Sequence, residues 1–271
     1  MIACLQFTSS DDVSDNLKRL EGWLEQLPTA RPLLLCLPEA FACFDAPSNV
    51  QHALGLGEAH EKLHSKLASL AKQFGIWLSA GTIPVSEGDK YFAASFLFNE
   101  QGEEVARYDK IHLFDVDVAD ATANYRESAS THPGQNLVVV DSPFGRIGLS
   151  VCYDVRFPGL FQKLTQMGAE IILLPSAFTV PTGEAHWHTL LRARAIENQV
   201  YLVAPAMVGE HARGRKTYGH SLIVDPWGEI VAELAQQQGL LVYLPNREMV
   251  ANVRAKMPLQ QHNKFTYEFK P

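Results

Sequence analysis

The sequence predicts an α/β protein, built either on one mixed sheet or on two sheets stacked between layers of helices. Short apolar segments typical of strands alternate along the chain with segments whose apolar residues recur at helical spacing. Several apolar segments are joined by tight turns, such as Asn99 to Gly102 and Pro226 to Gly228, and such turns predict antiparallel pairs. The chain has 271 residues and no low-complexity linker, so we expect a single domain over residues 1–271.

The first quarter of the chain predicts two strands, each followed by a helix. Ser10 or Asp11 can cap the first helix, whose apolar residues continue to Leu27 before Pro28. The second strand is apolar at every position, which is typical of a central strand buried on both faces. Gly75 suits the end of the second helix. The predicted elements are a strand at 1–7, a helix at 13–27, a strand at 33–37 and a helix at 58–74.

The middle of the chain predicts five strands interrupted by a long loop. Residues 115–134 are polar and show little periodicity, so we expect an ordered loop there. Loops of this length often carry functional residues, and this one contains Glu127. The predicted strands are 76–83, 91–98, 104–108, 137–141 and 146–151.

Beyond Cys152 the sequence predicts further alternation of helices and strands up to residue 244. A helix and a strand directly after the cysteine complete a β-α-β unit. Residues 257–271 show no clear pattern and are a candidate for packing against a second subunit. The predicted elements are helices at 159–168 and 183–198 and strands at 170–174, 200–208, 221–225, 229–234 and 239–244.

Composition and charge narrow the classes of function. The formal net charge of −7 argues against nucleic acid as a partner, because binding to phosphates needs a basic surface. No apolar run approaches the length that spans a bilayer, and the N-terminus lacks the basic flank of a signal peptide. The four cysteines form no C-x-x-C pair and no disulfide framework, which suits reduced thiols in the cytoplasm. We expect a small-molecule partner, with no nucleic acid and no membrane.

Cys152 lies where the apolar segment Ile147 to Val151 ends. Polar residues follow at once, among them Tyr153 and Asp154, and these need hydrogen-bond partners or water. A thiol at the end of a strand faces the loops where open α/β folds place their ligands, which is a suitable position for a nucleophile. A buried cysteine that packs as a small apolar residue is the alternative.

Glu39 and Lys110 also follow strand ends and complete a possible catalytic set with the cysteine. A carboxylate acting as base can deprotonate a thiol, and a nearby ammonium raises its thiolate character. The same ammonium can stabilise the oxyanion that forms when a thiolate attacks a carbonyl. Taken singly, Glu39 could instead cap a helix and Lys110 could be a solvated loop cation.

Three motifs containing these residues resemble the nitrilase superfamily of carbon-nitrogen hydrolases. They are Leu37-Pro38-Glu39-Ala40-Phe41, Tyr108-Asp109-Lys110-Ile111-His112-Leu113-Phe114-Asp115 and Val151-Cys152-Tyr153-Asp154-Val155-Arg156-Phe157-Pro158. The motifs occur in the order found in the family, and the resemblance covers nearly the whole chain. It implies a four-layer α-β-β-α sandwich of the nitrilase type, commonly paired through helices into a homodimer or a higher homo-oligomer. One departure is Gly159, where many members carry glutamate, and it puts only a contact at the start of a helix in doubt.

The resemblance also implies roles for individual residues. Cys152 would be the nucleophile, Glu39 the general base and later general acid, and Lys110 would stabilise the oxyanion together with the backbone N–H of Tyr153. Glu127 matches an additional carboxylate of the family, which would position the substrate and Lys110. An ordinary loop carboxylate is the alternative for Glu127.

Other features of the sequence do not predict a cofactor. Gly55-Leu56-Gly57 lacks both a preceding strand and the third glycine of a dinucleotide-binding motif. His186 and His188 would point to different faces of a helix, so a metal site would need ligands from elsewhere in the chain. Arg194 and Glu197, with Arg192 nearby, are expected to form buried ion pairs. We therefore predict no metal and no cofactor.

Within the superfamily, several further segments most resemble the branch of amidases that act on deaminated glutathione. They are Ser176-Ala177-Phe178, Thr182 to Trp187, Tyr218 to Ser221 and Asp225 to Gly228. Omega-amidases, which hydrolyse α-ketoglutaramate, are the nearest alternative; another small-amide or N-carbamoyl hydrolase and a catalytically idle interaction scaffold also remain. Predicted substrate contacts are Tyr153, Phe178, Thr179, Thr182, Arg213 and Arg215. The two arginines lie with Lys216 in a basic loop that could bind carboxylates or be an ordinary solvated turn.

Overall fold

Two mixed β-sheets stacked between layers of helices form the protein. The computed structural model describes residues 1–120, 122–266 and 268–270. The helices are α1 (Val13–Leu24), α2 (Ser48–Leu54), α3 (Gly57–Phe74), α4 (Pro158–Gln166), α5 (Val180–Asn198), α6 (Met249–Lys256) and α7 (Leu259–His262). None of the helices in this part of the chain is both long and apolar enough to cross a membrane.

The strands follow the chain in short segments. The first eight are β1 (Ile2–Gln6), β2 (Leu34–Cys36), β3 (Trp77–Ser79), β4 (Ile83–Glu87), β5 (Lys90–Phe98), β6 (Glu104–Asp109), β7 (Asp115–Asp117) and β8 (Asn124–Arg126). The others are β9 (Val139–Val140), β10 (Ile147–Leu149), β11 (Ile171–Leu173), β12 (Tyr201–Ala204), β13 (Val208–Glu210), β14 (Lys216–Tyr218), β15 (Leu222–Val224), β16 (Ile230–Glu233) and β17 (Gly239–Tyr243).

The two large sheets share one design, with parallel strands at the centre and antiparallel strands at the edges. The first has the order β17-β1-β2-β3-β5-β4, with β6 also paired to β5. The second has the order β16-β15-β12-β11-β10-β9. In the first sheet β2 runs parallel to both of its neighbours and is buried along its whole length, which confirms the predicted central strand.

Side chains alternate along the strands of the first sheet, so that one face packs against the second sheet and the other face packs against helices. Ile2 and Cys4 of β1 pack into one apolar cluster with Ile147 and Leu149 of the second sheet. Residues that alternate with them on the same strand, Ala3 and Leu5, pack on the opposite face against helices α1 and α3. Helices α4 and α5 cover the outer side of the second sheet. The α-β-β-α layering implied by the family resemblance is therefore confirmed.

The structure corrects several of the predicted boundaries of helices and strands. Asp12, rather than Ser10 or Asp11, caps α1, and its carboxylate accepts from the N–H groups of Ser14 (2.8 Å) and Asp15 (3.1 Å). That helix ends at Leu24, before the predicted 27. The predicted strands 76–83 and 200–208 each contain a break. The predicted loop 115–134 contains the hairpin β7–β8 and a 3-10 turn at 127–129. Helices α2 and α6 were not predicted at all.

The last helix of the C-terminal segment and its contact with α5 lie near the beginning of the segment. Gln199 Nε2 donates to the carbonyl of Met257 at 2.7 Å, and α7 follows. Most of the described residues after 259 are exposed, including Phe265 at 76%. Residues 267 and 271 of the predicted subunit-packing segment 257–271 lie outside the described residues.

Candidate active site

Cys152 lies at a sharp turn directly beyond the second sheet's strand β10. Its φ of 43° is in the left-handed region, which is uncommon for a residue with a side chain and directs the thiol away from the line of the strand. Its N–H donates to the carbonyl of Pro175 at 3.0 Å, and a 3-10 turn starts at the cysteine. The thiol is therefore held on rigid backbone at the edge of the sheet.

Glu39 and Lys110 come from the first sheet and meet the cysteine across the interface between the sheets. Glu39 begins a tight turn after β2, in which the N–H of Ala40 donates to the Thr82 hydroxyl at 2.8 Å. Lys110 directly follows β6, and its N–H donates to the carbonyl of Ala93 at 3.1 Å. Each of these two side chains thus extends from backbone that is held at the end of a strand.

The Lys110 ammonium is buried between two carboxylates. Its Nζ lies 2.9 Å from Glu39 Oε1 and 3.0 and 2.9 Å from the two carboxylate oxygens of Glu127. Burial by itself would lower the pKa of Lys110, but the negative charges of Glu127 and Glu39 outweigh it and raise the pKa well above its usual value. Lys110 is therefore a fixed cation at the bottom of the site.

Glu127 is held by backbone as well as by the lysine. Its Oε2 accepts from the N–H of Phe114 at 2.6 Å, and the residue starts the 3-10 turn that follows β8. Both oxygens are thereby engaged, so this carboxylate can orient Lys110 but has little freedom to move toward another group. The structure brings the four predicted catalytic residues, Glu39, Lys110, Glu127 and Cys152, into one cluster.

The charge state of Cys152 follows from its surroundings. Burial raises the pKa of the thiol well above its usual value, and the negative charge of the nearby Glu39 carboxylate raises it further. The Lys110 cation and the N–H of Ala177 act in the opposite direction. The resting site therefore holds a neutral thiol beside a carboxylate that can accept its proton.

A cavity of about 350 Å³ opens above these side chains. Tyr153, Phe178, Thr179, Thr182 and Arg215, which the sequence predicted as substrate contacts, all line it. The lining residues that were not predicted include Cys43, Phe44, Asp45, Gln51, Thr82, Tyr91, Asn124, Tyr125 and Arg126. Most of these come from the segment after Glu39 and from the hairpin β7–β8, so the only signal available was their nearness in sequence to a predicted catalytic residue.

The three cations of the basic loop lie in different places relative to the cavity. The Arg215 guanidinium carbon lies 4.6 Å from the centre of the Phe44 ring and 4.9 Å from that of Tyr125, at the cavity wall. Its Nε is buried and has no hydrogen-bond partner among the described residues. Arg213 is exposed and does not line the cavity, and its backbone N–H donates to Asp45 Oδ2 at 2.7 Å. Lys216 forms an exposed ion pair with Glu210 at 3.2 Å.

Asp154 connects the two strand ends that carry Lys110 and Cys152. The carboxylate is fully buried and accepts from the Tyr108 hydroxyl at 2.7 Å and from the N–H of Val151 at 2.8 Å. It also pairs with His112, whose Nδ1 lies 2.7 Å away and whose N–H lies 3.2 Å away. In the sequence Asp154 is a polar residue of the motif around the cysteine, and no role was predicted for it, because nothing in the sequence shows that it reaches the segment of the other sheet.

The expected ion pairs on α5 are present only in part. Arg194 is buried and pairs with Glu197 at 3.0 Å, and its Nε donates to the carbonyl of Val155. Arg192 donates to the carbonyl of Gly228 at 2.8 Å, in place of the expected ion pair. The Arg194 contact with Val155 ties α5 to the turn that follows the cysteine, and the Arg192 contact with Gly228 ties it to the turn between β15 and β16.

Comparison with known proteins agrees with this geometry. A family model described as carbon-nitrogen hydrolase matches residues 1–255. A deaminated glutathione amidase of Yersinia enterocolitica is 42% identical over 275 residues, which cover 100% of this chain and 95% of the relative.

Two solved structures extend the comparison. The NitFhit protein of C. elegans superposes on 97% of this chain with a TM-score of 0.88 and 36% identity. This chain spans only 64% of that longer protein, which is less than two thirds. An amidase of Nesterenkonia sp., solved after Michael addition of acrylamide at its active-site cysteine, has a TM-score of 0.78 and 28% identity, with 96% of this chain and 98% of that chain covered. The chain therefore belongs to the carbon-nitrogen hydrolase family, within the nitrilase superfamily.

Proposed function

We propose that this protein is an amidase that hydrolyses deaminated glutathione through a thioester on Cys152. The observation that carries the proposal is the buried Cys152 thiol beside Glu39 and Lys110 in a cavity large enough for a small amide. The relative from Yersinia enterocolitica, matched along the full chain, carries the name of that activity.

The charges of the site fit a defined sequence of proton transfers. Glu39 accepts the thiol proton as the sulfur of Cys152 attacks the amide carbon, and the oxyanion forms beside the Lys110 ammonium and the N–H of Tyr153. The protonated Glu39 then gives its proton to the leaving nitrogen as the C–N bond breaks. Water attacks the thioester, Glu39 takes a proton from it, and the acid and the free thiol are released. One amide and one water thus give one acid and one amine.

The position of Arg215 favours a substrate that carries a carboxylate. Its guanidinium lies against two aromatic rings at the cavity wall. A carboxylate remote from the scissile amide can accept two parallel hydrogen bonds from such a fork. Arg213 and Lys216 have no comparable position, so within the basic loop we assign carboxylate binding to Arg215.

The test is the side-by-side hydrolysis of deaminated glutathione and α-ketoglutaramate by wild-type and Cys152→Ala protein. We expect the higher kcat/KM for deaminated glutathione and no turnover by the variant. Mass spectrometry of quenched turnover should place the acyl group on Cys152, with the Cys43 peptide, from the same cavity, as an internal control. A preference for α-ketoglutaramate would make the protein an omega-amidase, and unchanged activity of Cys152→Ala would contradict the mechanism.

We also propose that the protein works as a homodimer in a reducing compartment such as the cytoplasm. Support for the compartment comes from the four cysteines, all present as free thiols.

Support for the dimer comes from apolar side chains left exposed on the single chain, among them Leu244 at 70% and Trp227 at 56%. Light scattering coupled to size-exclusion chromatography measures the assembly directly, and a monomeric mass at micromolar concentration would contradict the dimer.

A further inference from the structure

Two histidines and a glutamate converge outside the active-site cavity. His188 Nε2 lies 2.9 Å and His220 Nδ1 lies 2.7 Å from the same oxygen, Oε1 of Glu233. The three atoms all lie within 4.8 Å of one another. In the sequence, the pair His186 and His188 lacked the outside ligands that a metal site requires. The fold supplies two such ligands next to His188, one from the segment between β14 and β15 and one from the end of β16.

The backbone at His220 is held in an unusual conformation. Its φ of 57° is left-handed, which costs free energy in a residue other than glycine. Two hydrogen bonds fix it there: its N–H donates to the carbonyl of Ala235 at 2.9 Å, and its carbonyl accepts from Trp187 Nε1 at 2.8 Å. The ring stacks on Tyr218 with 4.3 Å between the ring centres. The imidazole is thus held in place by its surroundings, as in sites whose ligands are arranged before the ion arrives.

We propose that His188, His220 and Glu233 bind a divalent transition-metal ion, with zinc as the best match. Two imidazole nitrogens and one carboxylate oxygen form a ligand set that suits zinc and leaves one position open, whereas calcium and magnesium prefer oxygen ligands. Ligand atoms of a tetrahedral zinc ion lie about 3.4 Å apart. The two histidine-to-glutamate separations of 2.9 and 2.7 Å are somewhat shorter, so small side-chain rotations that widen them would admit the ion.

Binding requires a rearrangement of protons at the three side chains. In the ion-free arrangement both imidazoles can donate a hydrogen to the one carboxylate oxygen. Each coordinating nitrogen must give up that hydrogen, and the neutral ring then carries it on its other nitrogen. The ion replaces two hydrogen bonds with three coordinate bonds, and the Glu233 carboxylate offsets part of its charge. The other explanation of the cluster is a hydrogen-bonded tether between α5 and β16.

The experiment is a titration of the full-length protein with zinc by calorimetry, after treatment with a chelator. It uses the Cys152→Ala background, so that the active-site thiol cannot serve as a ligand. We expect one zinc ion per chain and, with cobalt, visible bands of a tetrahedral ion without a thiolate charge-transfer band. His188→Ala, His220→Asn and Glu233→Gln should each weaken zinc binding at least tenfold. Asparagine is chosen at 220 because it tolerates a left-handed backbone.

The matched control is His186→Ala, which removes an exposed histidine two residues away on the same helix. It should leave zinc affinity unchanged. Absence of zinc binding, equal loss in His186→Ala and His188→Ala, or a thiolate band with cobalt would overturn the proposal in favour of the tether. Thermal unfolding checks each variant: zinc should raise the Tm of the background protein but not that of Glu233→Gln. A folded Glu233→Gln protein with undiminished affinity would equally contradict the site.

Discussion

At the scale of single residues, the candidate active site combines a neutral nucleophile with fixed charges. Burial and the Glu39 carboxylate keep Cys152 protonated, while Lys110 remains cationic between two carboxylates. The sequence predicted which residues meet, because each follows a strand end. It could not predict the protonation of the thiol, since that depends on burial and on distances that only the packed sheets define.

The first prediction concerns Glu39→Gln. Loss of the carboxylate removes one of the causes that raise the pKa of Cys152, so the pKa should fall. The rate of alkylation by iodoacetamide, followed against pH, should rise at a lower pH than in wild type. Amide hydrolysis should nevertheless drop by about 100-fold or more, because glutamine cannot carry the proton. An alkylation midpoint that stays in place or moves to higher pH would contradict this account.

A second prediction at this scale separates Arg215 from its neighbours in the basic loop. Arg215→Ala should raise KM for deaminated glutathione by about tenfold to 100-fold, which corresponds to the loss of charged hydrogen bonds worth about 1.5–3 kcal/mol. Arg213→Ala and Lys216→Ala are matched controls that remove a cation outside the cavity. Steady-state kinetics at two salt concentrations makes the comparison. Equal effects of all three variants would indicate a general electrostatic contribution.

At the scale of elements, Asp154 joins the end of β6 to the turn after β10. Its carboxylate binds Tyr108 and His112 on the lysine-bearing segment and Val151 next to the cysteine. We infer that Asp154 positions Lys110 relative to Cys152 without touching substrate. A small displacement between the two groups would weaken oxyanion stabilisation, since reaction rates fall steeply when reacting groups are misplaced.

Asp154→Asn should therefore lower kcat by about 100-fold with a smaller change in KM. It should also reduce the free energy of unfolding by about 1–3 kcal/mol, because a buried amide cannot satisfy all four donors. Asp225→Asn is the matched control: that carboxylate is also buried, but it accepts from the N–H groups of Trp227 and Glu229 in a remote turn. Urea unfolding and steady-state kinetics should show a loss of stability in both variants and a loss of kcat only in Asp154→Asn.

The elements that the sequence predicted well are those with a strong apolar pattern. Helix α3 buries Leu63, Leu67 and Leu70 on one face and ends before Gly75, as its spacing indicated. By contrast, α2 has seven residues and buries none of them, so it leaves no periodic signal. The three-residue strands β7 and β8 are too short for alternation to be recognised. Sequence alone could not separate Arg213 from Arg215 either, since their difference lies in the turn between β13 and β14.

At the scale of the whole molecule, packing between the two sheets protects two further thiols. Cys4 and Cys36 are fully buried and lie side by side on adjacent strands, in register with each other. Burial, together with Cys4, raises the pKa of Cys36 well above its usual value. The lack of access opposes reaction of both thiols with an alkylating agent in the folded state, and the raised pKa opposes it further at Cys36.

We expect Cys4 and Cys36 to be alkylated only as the whole domain unfolds. Pulse labelling with iodoacetamide along a urea series, read by mass spectrometry, should show both peptides modified at the same urea concentration at which circular dichroism is lost. The Cys152 peptide provides an internal comparison, because its thiol faces the cavity. Labelling of Cys4 or Cys36 well before the loss of circular dichroism would indicate that the sheets separate first.

The pairing of β17 with β1 also has a consequence for the order in which the enzyme becomes active during its synthesis. Strand β1 is synthesised well before β17 but lies beside it, with Ile2 opposite Tyr243. The Gln6 amide further donates to the carbonyls of Ala235 and Gln237, so β1 gains its full set of partners only after this later segment has been made. Glu39 and Lys110 belong to the sheet that is completed in this way. A nascent chain that already displays Cys152 therefore lacks the finished scaffold of its base and its cation, which delays thiol chemistry until β17 has been synthesised.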